Sequence, residues 1–174
     1  GPRALGNRSI LYPAKDPEVN QWLNDQLGRT EFMPFAPAVL ADAAPRLFVG
    51  MDIGNTKTSE FMTLTFDCSD EMKEHSPAAV HVDGTARPQL VTPTSNPSFH
   101  KILFHYEELS GIPVLINTSF NMHEEPIVGS PADAVRAFLL GNIDYLAAGR
   151  FLAPHPSRKE KDRKTNLDAS AAIA

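Results

Sequence analysis

The sequence predicts a mixed α/β domain in which helices flank a mixed β-sheet. The chain has 174 residues, 42% of them hydrophobic, which is enough to bury one sizeable core. Three segments with helical spacing and capping residues alternate with short β-type runs. Over residues 113–148, a β-type run is followed by a predicted helix and then by a second β-type run. This order is typical of two strands joined by a crossover helix. A single α/β domain is therefore the economical architecture.

The first helix is predicted over residues 16–28. Asp16 is a good N-cap, Pro17 suits the first turn, and Gly28 suits the C-terminal cap. Its apolar side chains recur at helical spacing and are expected to form one core-facing stripe: Val19, Trp22, Leu23 and Leu27.

Two further helices are predicted over residues 97–111 and 131–141. Asn96 is the expected N-cap of the first helix and Ser130 that of the second. Asp133 is placed so that its side chain can accept a hydrogen bond from the Ser130 amide, which would complete a capping box. The residues of the first that are expected to face inward are Phe99, Ile102, Leu103, Tyr106 and Leu109.

Short strands are predicted between the helices, at residues 61–66, 79–82, 89–92, 113–117 and 145–148. Residues 1–6 are interpreted as a tight loop, because Pro2 fixes φ and two glycines allow unusual backbone angles. The domain is expected to cover residues 1–153, and residues 154–174 are expected to form a flexible charged tail.

Charge and cysteine content exclude several classes of protein. Residues 155–174 carry five basic and three acidic side chains, so a net charge of -5 for the chain leaves -7 for the rest. Such a body repels polyanions, which argues against nucleic acid and anionic membranes as partners. Cys68 stands alone and can form neither an internal disulfide nor a zinc cluster, so we expect a reduced, cytoplasmic setting.

Polar residues crowd into three turn-rich segments. Residues 1–10 contain Arg3 and Arg8, residues 83–87 end in Arg87, and residues 117–121 follow a strongly apolar run. Ligands of α/β sheets usually sit at strand ends, and guanidinium groups offer paired donors to phosphate or carboxylate oxygens. Converging arginines would form an anion pocket, whereas each arginine taken alone is also consistent with an ordinary surface residue.

Five motifs in order carry a family resemblance: residues 1–10, 34–37, 81–87, 117–121 and 125–128. Together they resemble the C-terminal domain of the nodulation-type and antibiotic-type O-carbamoyltransferases, over residues 1–153. The resemblance implies a YrdC-like fold with a twisted mixed sheet. It also implies that the domain uses carbamoyl phosphate and ATP, with Mg²⁺ arriving on the nucleotide, to form carbamoyl adenylate. A preceding actin-like domain, which holds a metal and the acceptor, is expected to be missing from this chain.

The resemblance also implies roles for individual residues. Arg3 and Arg87 match arginines that face phosphates, while Ser119 and Asn121 match a Ser-x-Asn element that orients the substrate. These four are the expected catalytic residues. The expected substrate- and nucleotide-binding residues are Arg8, Arg29, His81, Asp83, Asn117 and Thr118, and no metal ligands are expected. For His81, a purely structural role remains the alternative.

Two other functions are considered. Residues 52–56, Asp-Ile-Gly-Asn-Thr, resemble the first phosphate loop of actin-fold sugar kinases, in which the acid holds Mg²⁺. The second phosphate loop of that fold is absent from the sequence. The other alternative is a non-catalytic nucleotide-binding module with the YrdC-like fold that the family resemblance implies.

Overall fold

The computed structural model describes residues 4–28, 34–51 and 57–158. The protein is a mixed α/β structure, as predicted. Its described residues divide into two compact units, one of residues 4–25, 34–51 and 57–120 and the other of residues 26–28 and 121–158. The predicted Arg3 and Arg29, the loop at residues 52–56 and the tail beyond residue 158 lie outside the described residues.

The strands of the first unit are β1 (Ser9–Pro13), β2 (Ala36–Leu40), β3 (Phe66–Asp67), β4 (Thr85–Ala86), β5 (Gln89–Val91) and β6 (Val114–Ser119). Its helices are α2 (Ala44–Leu47), α3 (Asp70–His75) and α4 (Pro97–Ser110), and α1 (Val19–Gln26) begins in it. Short 3₁₀ turns lie at Ala41–Ala43, Thr58–Phe61 and Pro77–Ala79.

The main sheet of the described residues has four strands in the order β1-β6-β2-β5. β6 pairs antiparallel with both β1 and β2, whereas β2 and β5 are parallel, so the predicted mixed sheet is confirmed. β-Branched and aliphatic side chains fill the core around it, with Val39, Leu90 and Ile116 at most 1% exposed. β3 and β4 form a separate two-stranded ladder.

The cap signals locate α4 correctly. The side chain of Asn96 accepts a hydrogen bond from the Phe99 amide at 3.2 Å, and Gly111 ends the helix with φ +74°. Phe99 and Leu103 are buried as predicted, but Ile102 and Leu109 are 51% and 89% exposed. The prediction that these two face inward is wrong, because each lies about 100° or more around the helix from Leu103.

The first predicted helix is confirmed as α1, with Val19 and Leu23 buried. Trp22 is 38% exposed and packs its ring on Tyr12, with 5.1 Å between ring centroids, so the prediction that it lies in the core is wrong.

Several strand predictions are wrong. Residues 61–66 are not a strand: Phe61 ends a 3₁₀ turn, Met62 has φ +54°, and pairing begins only at Phe66. Residues 79–82 are not a strand either, because Pro77 starts a 3₁₀ turn there. β1 and β2 went unpredicted, since each lies beside prolines or glycines that indicate loops. The strands at residues 89–92 and 113–117 are confirmed as β5 and β6.

The second unit contains α5 (Pro131–Leu140) and a hairpin of β7 (Tyr145–Ala148) and β8 (Phe151–Pro154). Ser130 and Asp133 form the predicted capping box at the start of α5. The predicted strand, crossover helix, strand unit is wrong, because β6 and β7 belong to different sheets. Just after β8, Arg158 forms an ion pair with Asp144 at 2.7 Å. No helix of the described residues is both long and apolar enough to cross a bilayer.

Candidate functional site

One end of the four-stranded sheet gathers residues that are far apart in sequence. The register pairs Ser9 with Ser119, Ala36 with Asn117, and Ala38 with Gln89. Because β6 runs opposite to its neighbours, its carboxyl end meets the amino ends of β1, β2 and β5. The predicted site residues brought to this end are Arg8, Arg87, Asn117, Thr118 and Ser119.

Arg8 and Arg87 approach this end from opposite edges of the sheet. Arg8 precedes β1, has φ 60°, and accepts a hydrogen bond on its carbonyl from the Phe120 amide at 2.9 Å. Arg87 precedes β5, at the other edge. Three strand spacings separate the two edge strands, which is about 14 Å. Among the described residues, no carboxylate lies within ion-pair distance of the half-buried Arg87.

A chain of side-chain amides ties the N-terminal loop to β6. The Leu5 carbonyl accepts hydrogen bonds from Nε2 of Gln89 and Nδ2 of Asn96, each at 3.1 Å. Oε1 of Gln89 in turn accepts from Nδ2 of Asn117 at 2.6 Å. Since a carbonyl can only accept, the amide orientations are determined, and Oδ1 of Asn117 is a buried acceptor with no partner in the described part of the chain. Gln89 is not predictable as a site residue, because its sequence context indicates only a strand.

The N-terminal loop packs closely over the start of α4. Gly6 has φ +94°, and its amide donates to Oγ of Ser9 at 3.0 Å. A Cβ at this position would lie 2.3 Å from Cδ1 of Phe99, so only glycine fits without displacement.

A small cavity opens beside the amide chain. Its volume is about 160 Å³, and it is lined by Leu5, Asn7, Glu60, Phe61, Gln89, Leu90, Ser95 and Asn96. Whole-ligand pockets usually measure about 300–1,000 Å³, so a complete nucleoside triphosphate does not fit inside it. Neutral amides and the Glu60 carboxylate suit an uncharged polar group better than a phosphate.

The two faces of β6 separate its polar residues. Side chains alternate along a strand, so Asn117 and Ser119 lie on one face and Thr118 on the other. Ser119 is half-buried at the last position of the strand, where its hydroxyl can reach the end of the sheet.

The turn between residues 81 and 85 has its own hydrogen-bond network. Oδ1 of Asp83 accepts from the Thr85 amide at 3.0 Å and from the Thr85 hydroxyl at 2.8 Å. These bonds, the hydroxyl first, lower the pKa of Asp83. Nδ1 of His81 lies 3.0 Å from the same hydroxyl. Nζ of Lys73, a cation that no sequence motif indicates, would lie 4.0 Å from a Cβ at Gly84.

Asn121 holds its own loop in the second unit. Its Nδ2 donates to the carbonyls of Met122 at 3.1 Å and Glu125 at 2.8 Å. Both amide hydrogens are therefore used, and Oδ1 is buried without a partner in the described part of the chain. The predicted contact of this amide with a carbamoyl or phosphate oxygen would require the release of one of these bonds.

The described residues contain no group of three or more His, Cys, Asp or Glu side chains arranged to hold a metal ion. The loop at residues 52–56, on which the sugar-kinase hypothesis depends, lies outside the described residues.

Comparison with known proteins defines the class. Residues 1–155 match the family described as carbamoyltransferase C-terminus, and the chain belongs to this family. The resemblance predicted from the five ordered motifs is thereby confirmed.

Among similar proteins, an uncharacterized protein of Methanocaldococcus jannaschii is 41% identical over 147 residues, which are 84% of this chain and 23% of the relative. Nodulation protein NolO of Bradyrhizobium diazoefficiens is 38% identical over 153 residues, 87% of this chain and 28% of the relative. Nodulation protein U of Rhizobium tropici is 39% identical over 146 residues, 84% of this chain and 24% of the relative. The chain spans about a quarter of the length of these relatives.

Proposed function

We propose that this chain is the carbamoyl-activating part of an O-carbamoyltransferase and that it forms carbamoyl adenylate from carbamoyl phosphate and ATP. The observation that carries the proposal is the sheet register, which brings the family motifs around Arg8, Arg87 and Ser119 to one end of the sheet. Family membership supports the carbamoyl chemistry, and the positions of the two arginines support a phosphate-bearing substrate.

The two edge arginines suit a ligand system with more than one phosphate. Arginines that precede the two opposite edge strands of the sheet can each engage a separate anionic group, as the acyl phosphate and the nucleotide triphosphate would present. In balanced form, carbamoyl phosphate, ATP and water give carbamoyl adenylate, pyrophosphate and phosphate. The guanidinium of Arg87 would stabilise negative charge that develops on a transferring phosphate, and the hydroxyl of Ser119 would hydrogen-bond the carbamoyl oxygen.

Mg²⁺ is proposed to arrive with ATP, where it would neutralise phosphate charge. Arg3 and Arg29 are proposed to add cations to the same site on the strength of the family resemblance. The acceptor and the actin-like domain that binds it are proposed partners. The family resemblance supports an acceptor hydroxyl on a secondary metabolite or a modified saccharide and thus a biosynthetic role, and the lone Cys68 supports a cytoplasmic setting.

The test is to mix the chain with ATP, Mg²⁺ and carbamoyl phosphate and to search for the mixed anhydride by mass spectrometry, with pyrophosphate measured in parallel. We expect pyrophosphate release only when both substrates are present. Binding of both substrates without pyrophosphate would identify a non-catalytic nucleotide-binding module instead. Binding of neither substrate would contradict the proposal.

A further inference from the structure

The hydrogen bonds of the turn at residues 81–85 determine which nitrogen of His81 carries a proton. The Thr85 hydroxyl has one hydrogen, and it donates that hydrogen to the Asp83 carboxylate at 2.8 Å. Its contact with Nδ1 of His81 at 3.0 Å therefore requires Nδ1 to be the donor. In the neutral ring, Nε2 is then left with a bare lone pair.

The backbone holds this arrangement in place. The His81 amide donates to the Thr85 carbonyl at 2.7 Å, and the Gly84 amide donates to the His81 carbonyl at 2.9 Å. Gly84 has φ +82°, which closes the turn tightly and keeps Asp83 over the Thr85 amide. The ring of His81 is thus held by main-chain and side-chain bonds together.

The same geometry puts His81 on the side of Arg87. Thr85 and Arg87 flank Ala86, which is fully buried, whereas both neighbours are partly exposed. β4 is extended at Thr85 and Ala86, and Pro88 favours extended backbone at the residue before it, so the side chains of Thr85 and Arg87 lie on the outer side of Ala86. The imidazole bonded to Thr85 consequently lies on the same side as the guanidinium.

We propose, on the basis of the carbamoyl phosphate site proposed above, that Nε2 of His81 accepts a hydrogen bond from the carbamoyl amino group, and that Asp83 and Thr85 are positioning residues for it. Phosphate oxygens bound by Arg87 are acceptors, and they repel an unprotonated ring nitrogen. The donors of carbamoyl phosphate are the hydrogens of its amino group. Acetyl phosphate has a methyl group in place of this amino group. The two groups are similar in size, and the two acyl phosphates carry the same charge. His81 therefore selects carbamoyl over acetyl phosphate, because the methyl group leaves Nε2 without a partner.

The first measurement reads the tautomer without any ligand. The chain is labelled with ¹⁵N-histidine, and the signals of His81 are assigned by their loss in His81→Phe. We expect Nδ1 protonated and Nε2 bare. Thr85→Val, which keeps the shape but removes the hydroxyl, should lose this preference, and Thr85→Ser should keep it. A wild-type ring protonated on Nε2 alone would overturn the proposal.

The second measurement compares equilibrium binding of carbamoyl phosphate and acetyl phosphate, with inorganic phosphate as a probe of the arginine site. We expect wild type and Thr85→Ser to prefer carbamoyl phosphate by about tenfold. Thr85→Val and His81→Phe should bind the two acyl phosphates about equally, and Thr85→Val should keep the wild-type affinity for inorganic phosphate. If wild type and His81→Phe prefer carbamoyl phosphate over acetyl phosphate to the same degree, the role of His81 is overturned, while the proposed function stands. Failure of wild type to bind any of the three would overturn the proposed function as well.

Discussion

Nδ2 of Asn117 donates to Oε1 of Gln89 at 2.6 Å, joining the end of β6 to the start of β5 across the intervening β2. Both side chains are buried, at 1% and 3% exposure. A polar bond in this position aligns the strands whose ends form the candidate site.

Replacing Gln89 by Leu should lower the free energy of unfolding by about 1–3 kcal/mol, because the buried amide of Asn117 loses its partner. The Leu5 carbonyl keeps its bond from Asn96. The double variant Gln89→Leu/Asn117→Leu removes both polar groups and should recover part of the loss. Urea unfolding measures both. If Gln89→Leu is as stable as wild type, the hydrogen bond between Asn117 and Gln89 does not stabilise the fold.

Gly6→Ala should destabilise the protein more than Gly111→Ala. Both glycines have positive φ, +94° and +74°, so both substitutions strain the backbone, by roughly 1–2 kcal/mol. Only at Gly6 does the new methyl group meet the ring of Phe99, whereas the space beside Gly111 is open. Overpacking should add about 1–3 kcal/mol at Gly6. Equal losses in thermal or urea unfolding would show that the loop does not pack on α4.

Stability should fall on the acid side partly through Asp133. The hydrogen bond from the Ser130 hydroxyl and those from the Gly129 and Ser130 amides lower its pKa below the ordinary 3.8. The carboxylate therefore contributes stability in full above that ordinary value and loses it as pH falls through the lowered pKa. Melting temperatures measured from about pH 6 to about pH 2 should drop less steeply for Asp133→Asn than for wild type. Identical profiles would contradict the capping box.

Cys68 should be unreactive in the folded protein. Its side chain is 2% exposed, and burial is the main cause that raises the pKa of its thiol to about 11. At pH 8 the thiol stays protonated and inaccessible, so a disulfide reagent should label it only after unfolding in urea. Rapid stoichiometric labelling without denaturant would show that this part of the fold opens.

Helices were predictable because their signals are local. Asn96 and Gly111 bound α4, and Ser130 with Asp133 begins α5, within a few residues of the hydrogen bonds that they make. Strands were less predictable because pairing is non-local. β1 lies directly after the loop that contains Gly6, and it forms its pairs with β6, more than a hundred residues away. β2 is not predictable because it contains Pro37, and proline is uncommon in a strand that, like β2, lies between two others in a sheet.

The candidate site was predictable in part. Motifs identified Arg8, Arg87 and Ser119, but their convergence at one sheet end depends on a register that no local pattern encodes. Gln89 and Thr85 were missed, because their importance lies in the partners that they bond, Asn117 and His81.

A phosphate site at this end of the sheet is tested most directly by comparing Arg87→Ala with Arg46→Ala in pyrophosphate release that depends on both ATP and carbamoyl phosphate. Arg46 is also in the first unit, but its guanidinium pairs with Glu71 and Glu107 at the surface. Removing Arg87 should cost about 2–4 kcal/mol of transition-state stabilisation, a loss of roughly 30- to 1,000-fold, while Arg46→Ala stays close to wild type. Equal activity of the two variants would contradict a phosphate site at this end of the sheet.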